Sequence, residues 1–177
     1  DYRVQAVLDA NFTGGRLDAW CFTNLQTGYA DCQAEVALYD AAGNLVCSRR
    51  GDFTTSTPER GYRSPAGKIP TPEAGAALLS MELPNVHPWS PDSPYLYTAV
   101  FTLLDENGTP IDFEASHVGF KRVELREHVI LLNGKRLIVR GVNRHEHSLK
   151  NGRAVTLEEM EKEIRLMKQL NFNAVRT

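Results

Sequence analysis

The sequence has no CxxC pair, no basic stripe and no apolar run of about eighteen residues, and aromatic side chains make up only 8% of it. Each absence removes a class of function. Three cysteines, Cys21, Cys32 and Cys47, at unpaired spacing give neither a zinc ribbon nor a disulfide framework. They read as free, mostly buried thiols and hint at a reducing compartment, though one disulfide among the three stays open. A formal charge of −2 without clustered Lys or Arg argues against nucleic acid and anionic membrane as partners. No stretch is apolar enough for a membrane-spanning helix, and no signal peptide is visible. The compartment stays open between cytoplasm and periplasm.

What remains is ordinary globular chemistry, 42% apolar and 24% charged, over 177 residues. That length holds one domain, or one domain and a piece of another. It is enough to bury a core.

Strand signals fill the first two thirds. RVQAVLDA (3–10) alternates, with Val4, Ala6 and Leu8 on one face. Thr13-Gly14-Gly15 is a turn, residues 17–25 form a second strand and AEVALYD (34–40) a third. Gly43-Asn44 turns the chain into LVCS. YLYTAVFTLLD (95–105) is a long β-branched and aromatic strand, and Asn107-Gly108 turns it back into IDFEASHVGF. Short strands with regular turns and no helical period predict an all-β sandwich of the immunoglobulin type. Trp20 and Trp89 are both candidate core anchors, and the pattern does not choose between them. Residues 51–76 break the rhythm: fourteen of these twenty-six are Gly, Pro, Ser or Thr, which predicts a long loop or insertion.

After residue 118 the character changes. HVILLNGKRLIVRG places two apolar runs around Asn133-Gly134, a strong hairpin signal. The strand LIVR leads into a polar loop over 143–155. TLEEMEKEIRLMKQL then reads as a helix. Thr156 and Glu159 form a capping box, and Leu157, Met160, Ile164, Met167 and Leu170 make one apolar face. Glu161 and Arg165 can pair on the outer side. NAVRT (173–177) reads as another strand. Strand, loop, helix, strand is a unit of a parallel sheet, and one such unit cannot cover both faces of its sheet. The expected organisation is mainly β: a sandwich over 1–122, then a truncated first βαβ portion of an α/β domain over 123–177. The chain starts at Asp1 almost directly in a strand, so it reads as an internal piece of a longer protein.

The run RGVNRHEH (140–147) concentrates charge at the end of an apolar strand. In parallel α/β folds ligands meet the carboxyl ends of strands. Asn143, Arg144, His145 and Glu146 stand there, and their mixed donors and acceptors suit the hydroxyl groups of a sugar. A solvated polar loop is the competing reading. HEH (145–147) is neither HExxH nor helical, so no metal site is assigned.

RGVNRHEHSLKNGRAVTLEEMEKEIRLMKQLNFNAVRT strongly resembles the start of the catalytic barrel of β-galactosidases in glycoside hydrolase family two. PWSPDSPYLYTAVFTLLDENG and VGFKRVEL resemble the last strands of the immunoglobulin-like domain that precedes that barrel. The likeness is specific from 86 to 177 and weaker from 1 to 85. It implies a TIM (β/α)8 barrel for the second domain and a retaining exo-glycosidase as the parent enzyme. Such an enzyme uses two glutamates about 5–5.5 Å apart. By resemblance both lie on later barrel strands, so no catalytic residue is assigned in this chain and the chain alone is expected to be inactive. His145 matches the histidine that contacts the sugar near the transition state, with Asn143 and Arg144 beside it in the substrate-binding set. Arg176 matches the arginine that supports the nucleophilic glutamate, and its competing reading is a barrel-interior salt bridge. Arg144, His147 and NFNAVRT favour a β-galactosidase over a β-glucuronidase, which is the alternative. Another is a carbohydrate- or partner-binding sandwich module, but such a module has no use for a barrel start. Mg2+ and Na+ accompany many β-galactosidases, and their ligands are expected outside this chain. The expected partners are a β-galactoside, other domains of the same chain and, for the truncated chain, a second copy of itself.

Overall fold

The computed structural model describes residues 1–24, 31–54 and 74–177. The chain divides into two compact units. Unit 1 comprises residues 1–123 with 132–134, and unit 2 comprises 124–131 with 135–177.

Unit 1 is a β-sandwich. One sheet has the order β1-β2-β5, formed by β1 (Tyr2–Leu8), β2 (Gly15–Asn24) and β5 (Ala74–Leu83). The other has the order β4-β3-β6-β7, formed by β3 (Gln33–Tyr39), β4 (Leu45–Asp52), β6 (Tyr97–Leu104) and β7 (Pro110–Val118). Every pairing in both sheets is antiparallel. The registers show why the alternation in sequence makes a core. In the first sheet Leu17, Ala19 and Cys21 stand opposite Met81, Leu79 and Ala77, and all six are buried. In the second, Val36 and Leu38 stand opposite Phe101 and Ala99, again all buried. With a side-chain period of two, each strand offers one apolar face, and the two faces close on one another. Phe120 is fully buried beneath them, edge-on to Tyr97 at 5.2 Å between ring centroids.

Two hairpin loops are built alike. Asp40 accepts the backbone N–H groups of Ala42 and Asn44, and Asp105 accepts those of Asn107 and Thr109. Gly43 and Gly108 take φ of +84° and +79° at the same position of each loop, which a side chain resists. These bonds hold both carboxyls below the ordinary aspartate value, chiefly through the Asn44 side-chain amide for Asp40 and the Thr109 backbone N–H for Asp105.

Three expectations change here. Neither tryptophan anchors the core: both are half-buried, Trp20 under Arg3 and Trp89 under Lys121, where an aromatic face meets a cation at the rim. β5 has no counterpart in the sequence reading. Ala-Gly-Ala-Ala-Leu-Leu carries no β-branched residue, so its strand character comes from the ladder to β2. The loop expected over 51–76 begins and ends inside strands β4 and β5, with Thr54 bridging to Ala76; residues 55–73 lie outside the described residues.

Cys21 and Cys32 are buried, Cys47 is half-buried, and all three are free thiols. Burial pushes the Cys21 thiol up to about 11, so it packs as an apolar group.

β8 (Val123–Arg126), β9 (Val129–Leu132) and β10 (Lys135–Arg136) form a small sheet in the order β10-β9-β8. Asn133-Gly134 turns its hairpin, with φ of +50° and +75°. The Asn133 side chain does more than turn the chain. It donates to the Trp89 carbonyl at 3.0 Å and accepts from the Arg122 N–H at 2.9 Å, which assigns the hairpin tip to unit 1.

Unit 2 contains β11 (Gly141–Asn143), α1 (Leu157–Gln169) and β12 (Ala174–Arg176). β11 and β12 are parallel, as the βαβ pattern requires. The barrel's first strand is later and shorter than the run LIVR suggested. Ile138 and Val139 are exposed and precede the ladder to β12, which begins at Gly141.

Candidate functional site

The parallel ladder decides which residues meet. Gly141 pairs with Ala174, Val142 with Val175 and Asn143 with Arg176. A Cβ on Gly141 would lie 3.4 Å from the Ala174 methyl, so the first rung is close-packed. Asn143 and Arg176 therefore share the last rung, at the carboxyl ends of both strands. The next residue continues the association: the Arg144 N–H donates to the Arg176 carbonyl at 2.8 Å.

The strands are aligned from their other end by Asn173. Its side chain donates to the Ile138 carbonyl at 2.9 Å and accepts from the Arg140 N–H at 2.8 Å. Its own N–H donates to the Arg140 carbonyl at 3.0 Å. The motif NFNAVRT thus contains an asparagine whose amide acts as an extra rung below β11 and β12. Spacing gave no sign of this, since the partners lie 33 and 35 residues away.

The four residues singled out in the sequence do not share one environment. Asn143, His145 and Arg176 are exposed. Arg144 turns inward, with its side chain only 9% exposed. Its Nε donates to Glu163 Oε2 of α1 at 2.6 Å, and its Nη1 lies 3.8 Å from Glu146 Oε1. Its Nη2 is buried without a hydrogen-bond partner among the described residues.

Further along the loop, Ser148 is buried. Its hydroxyl donates to Glu159 Oε1 at 2.7 Å and accepts from the N–H groups of Lys150 and Asn151 at 3.2 Å. Its backbone pairs in both directions with Gly152. Glu159 closes the predicted capping box with its other oxygen, which accepts the Thr156 N–H at 3.0 Å, while the Thr156 hydroxyl accepts the Glu159 N–H. The Ser148 hydroxyl and then the Thr156 N–H hold the Glu159 carboxyl below the ordinary glutamate value. Ser148 and Glu163 were not read from the sequence as site residues. A serine in a polar loop and a glutamate on a helix are common, and only the fold shows what they touch.

Among the described residues no group of three or more His, Cys, Asp or Glu side chains is gathered as a metal site. The arrangement offers an exposed imidazole, amide and guanidinium at a strand terminus, on a loop braced from behind. Such groups can bind hydroxyls and orient a carboxylate.

Comparison with known proteins bears on what meets these groups. Residues 1–121 match the family model described as glycosyl hydrolases family 2, and residues 123–177 match the model of that family's TIM barrel domain. A protein named β-galactosidase from Psychromonas ingrahamii is 39% identical over 181 aligned residues, covering 100% of this chain and 16% of its own length. One of the same name from Vibrio cholerae is 38% identical over 177 residues, again covering 100% of this chain and 16% of its own length. Among solved structures, the β-glucuronidase of Parabacteroides merdae superposes with a TM-score of 0.76 at 26% identity, over 99% of this chain and 20% of that one. The chain thus spans about a sixth of the length of these curated relatives.

Proposed function

The chain belongs to glycosyl hydrolase family 2, and from that premise we propose that residues 1–177 work as part of a longer retaining β-galactosidase, in which unit 1 is a sandwich domain and unit 2 begins the barrel. The observation that carries the reading is the match to proteins named β-galactosidase along the whole chain, through the loop that presents His145.

In this reading His145 donates to a sugar hydroxyl as charge develops at the anomeric carbon. Asn143 supports it from the last rung of β11. Arg176, on the facing rung of β12, holds the nucleophilic carboxylate ionised and oriented. Retaining hydrolysis needs one carboxylate as nucleophile and one carboxyl as acid and then base, about 5–5.5 Å apart. The α1 carboxylates near the loop are committed elsewhere, Glu159 to Ser148 and Thr156 and Glu163 to Arg144. By the resemblance, the catalytic pair is expected on later barrel strands of the enzyme, and Mg2+ and Na+ are expected to take their ligands outside this chain.

The superposition on β-glucuronidases favours one alternative, a glucuronide as substrate. Chromogenic β-galactoside and β-glucuronide, offered side by side, decide between them. The full-length gene product is expected to cleave the galactoside, and the 177-residue chain neither. Cleavage of the glucuronide alone would move the assignment to the alternative. Cleavage by the 177-residue chain would mean that a catalytic pair lies within it.

A further inference from the structure

Two carboxylates of α1, Glu159 and Glu163, stand one turn apart on the same side of the helix. Like charges at this spacing repel. Each is met by a donor from the loop after β11: Ser148 Oγ reaches Glu159 at 2.7 Å, and Arg144 Nε reaches Glu163 at 2.6 Å. The two ties straddle His145, Glu146 and His147. Ser148 and the Arg144 side chain are also the best-covered groups of the loop, whereas the three residues between them are exposed.

We propose that Arg144 is a positioning residue and not a sugar contact, and that Arg144–Glu163 and Ser148–Glu159 form a two-point clamp that sets the place of His145. This rests on the reading of His145 as the residue that meets the sugar. Arg144 has little left to offer a ligand. Its Nε is taken by Glu163, and burial, with only 9% of the side chain exposed, closes off the rest of the guanidinium. A guanidinium so far out of water needs a fixed anion beside it, and Glu163 is that anion. Arg144 is seated against α1, while His145 next to it is exposed. The main chain is fixed at the same point, through the Arg144 N–H on the Arg176 carbonyl. That bond also ties the loop to the strand carrying Arg176.

A double-mutant cycle in the full-length gene product tests the clamp. Glu163→Gln removes the charge and keeps the shape. It is expected to lower kcat by about 10- to 100-fold, with KM changed by less than about twofold, since a misplaced group near the reacting centre costs transition-state binding. In a His145→Ala background the same substitution is expected to change kcat by less than about twofold, because the residue it positions is gone. Ser148→Ala should act in the same direction, and it carries the cycle if Glu163→Gln does not fold. Glu161→Gln, on the outer side of α1, is the control and should leave kcat unchanged. A wild-type rate in Glu163→Gln, or an undiminished loss in the His145→Ala background, would overturn the proposal.

Amide hydrogen exchange supplies an arm that needs no activity. Exchange at Arg144, Ser148 and residues 150–152 should quicken by about tenfold in Glu163→Gln or Ser148→Ala. An enzyme inactive on every glycoside but with quickened exchange would refute the assigned function and keep the clamp. Unchanged exchange would refute the clamp whatever the substrate.

Discussion

In unit 1, Leu17, Ala19 and Cys21 of one sheet and Val36, Leu38 and Phe101 of the other belong to one buried apolar cluster. In unit 2, α1 buries none of its side chains, and Ser148 is the one buried residue among those described. Within residues 1–177, Ile138, Val139, Leu157, Ile164, Leu166 and Leu170 of unit 2 are exposed, and Met160 and Met167 are half-buried. The sandwich is held by volume and area, which are non-directional and tolerate small shifts. Within residues 124–177 the ties in the structure are directed bonds to Asn173, Glu159 and Glu163, each lost when one partner is removed. Mutations should therefore hurt the two units in different ways: lost volume in the first, lost charge or hydroxyl in the second.

The largest effect is expected from Phe120→Ala. It empties a fully buried aromatic site in unit 1 and should destabilise the sandwich by about 3–5 kcal/mol, read as a lower denaturant midpoint. The clamp residues of unit 2 should keep their exchange rates in this variant. If they quickened together, the two units would unfold as one and the contrast would fail.

Gly108→Ala is smaller and sharpens the point within unit 1. A Cβ there meets nothing within 4 Å, so the whole cost is the φ of +79°. About 1 kcal/mol is expected in equilibrium unfolding. Gly43→Ala should cost the same, because its loop repeats the aspartate-centred geometry. A clear difference between them would show that the likeness stops at the backbone.

The smallest effect is electrostatic and belongs to unit 2. Glu159 has a folded pKa below its unfolded value, so ionisation favours the folded cap. That contribution is complete above the ordinary glutamate value. It is lost as pH falls through that value and then through the lowered one. In Ser148→Ala the main cause disappears, and the Glu159 carboxyl should titrate at higher pH in a carboxyl-detected NMR titration. An unmoved midpoint would mean that the hydroxyl contributes nothing to holding the charge.

Local signals were legible, and long-range ones were not. α1 could be read because its capping box and its apolar period lie within fifteen residues, and the box formed as expected. Glu161 and Arg165 also lie within reach, at 3.6 Å. Asn133-Gly134 was readable as a turn for the same reason. β5 escaped because its partner β2 begins some sixty residues earlier, and only the ladder makes an Ala- and Leu-rich segment a strand. At the site, the parallel βαβ pattern implied that the two strands pair, but not the register that joins Asn143 to Arg176. The inward turn of Arg144 was not implied either, because its partner Glu163 lies 19 residues away on a helix whose outer face looks uniformly polar.

The most direct test of the functional account is the rate of β-galactoside hydrolysis by the full-length gene product and by its His145→Ala form. The account predicts an active wild type and a kcat/KM lowered by about 100-fold or more in the variant, with the fold retained. An active wild type whose rate survived the substitution would contradict it, for the exposed cluster after β11 would then be a solvated polar loop and the sugar would be met elsewhere.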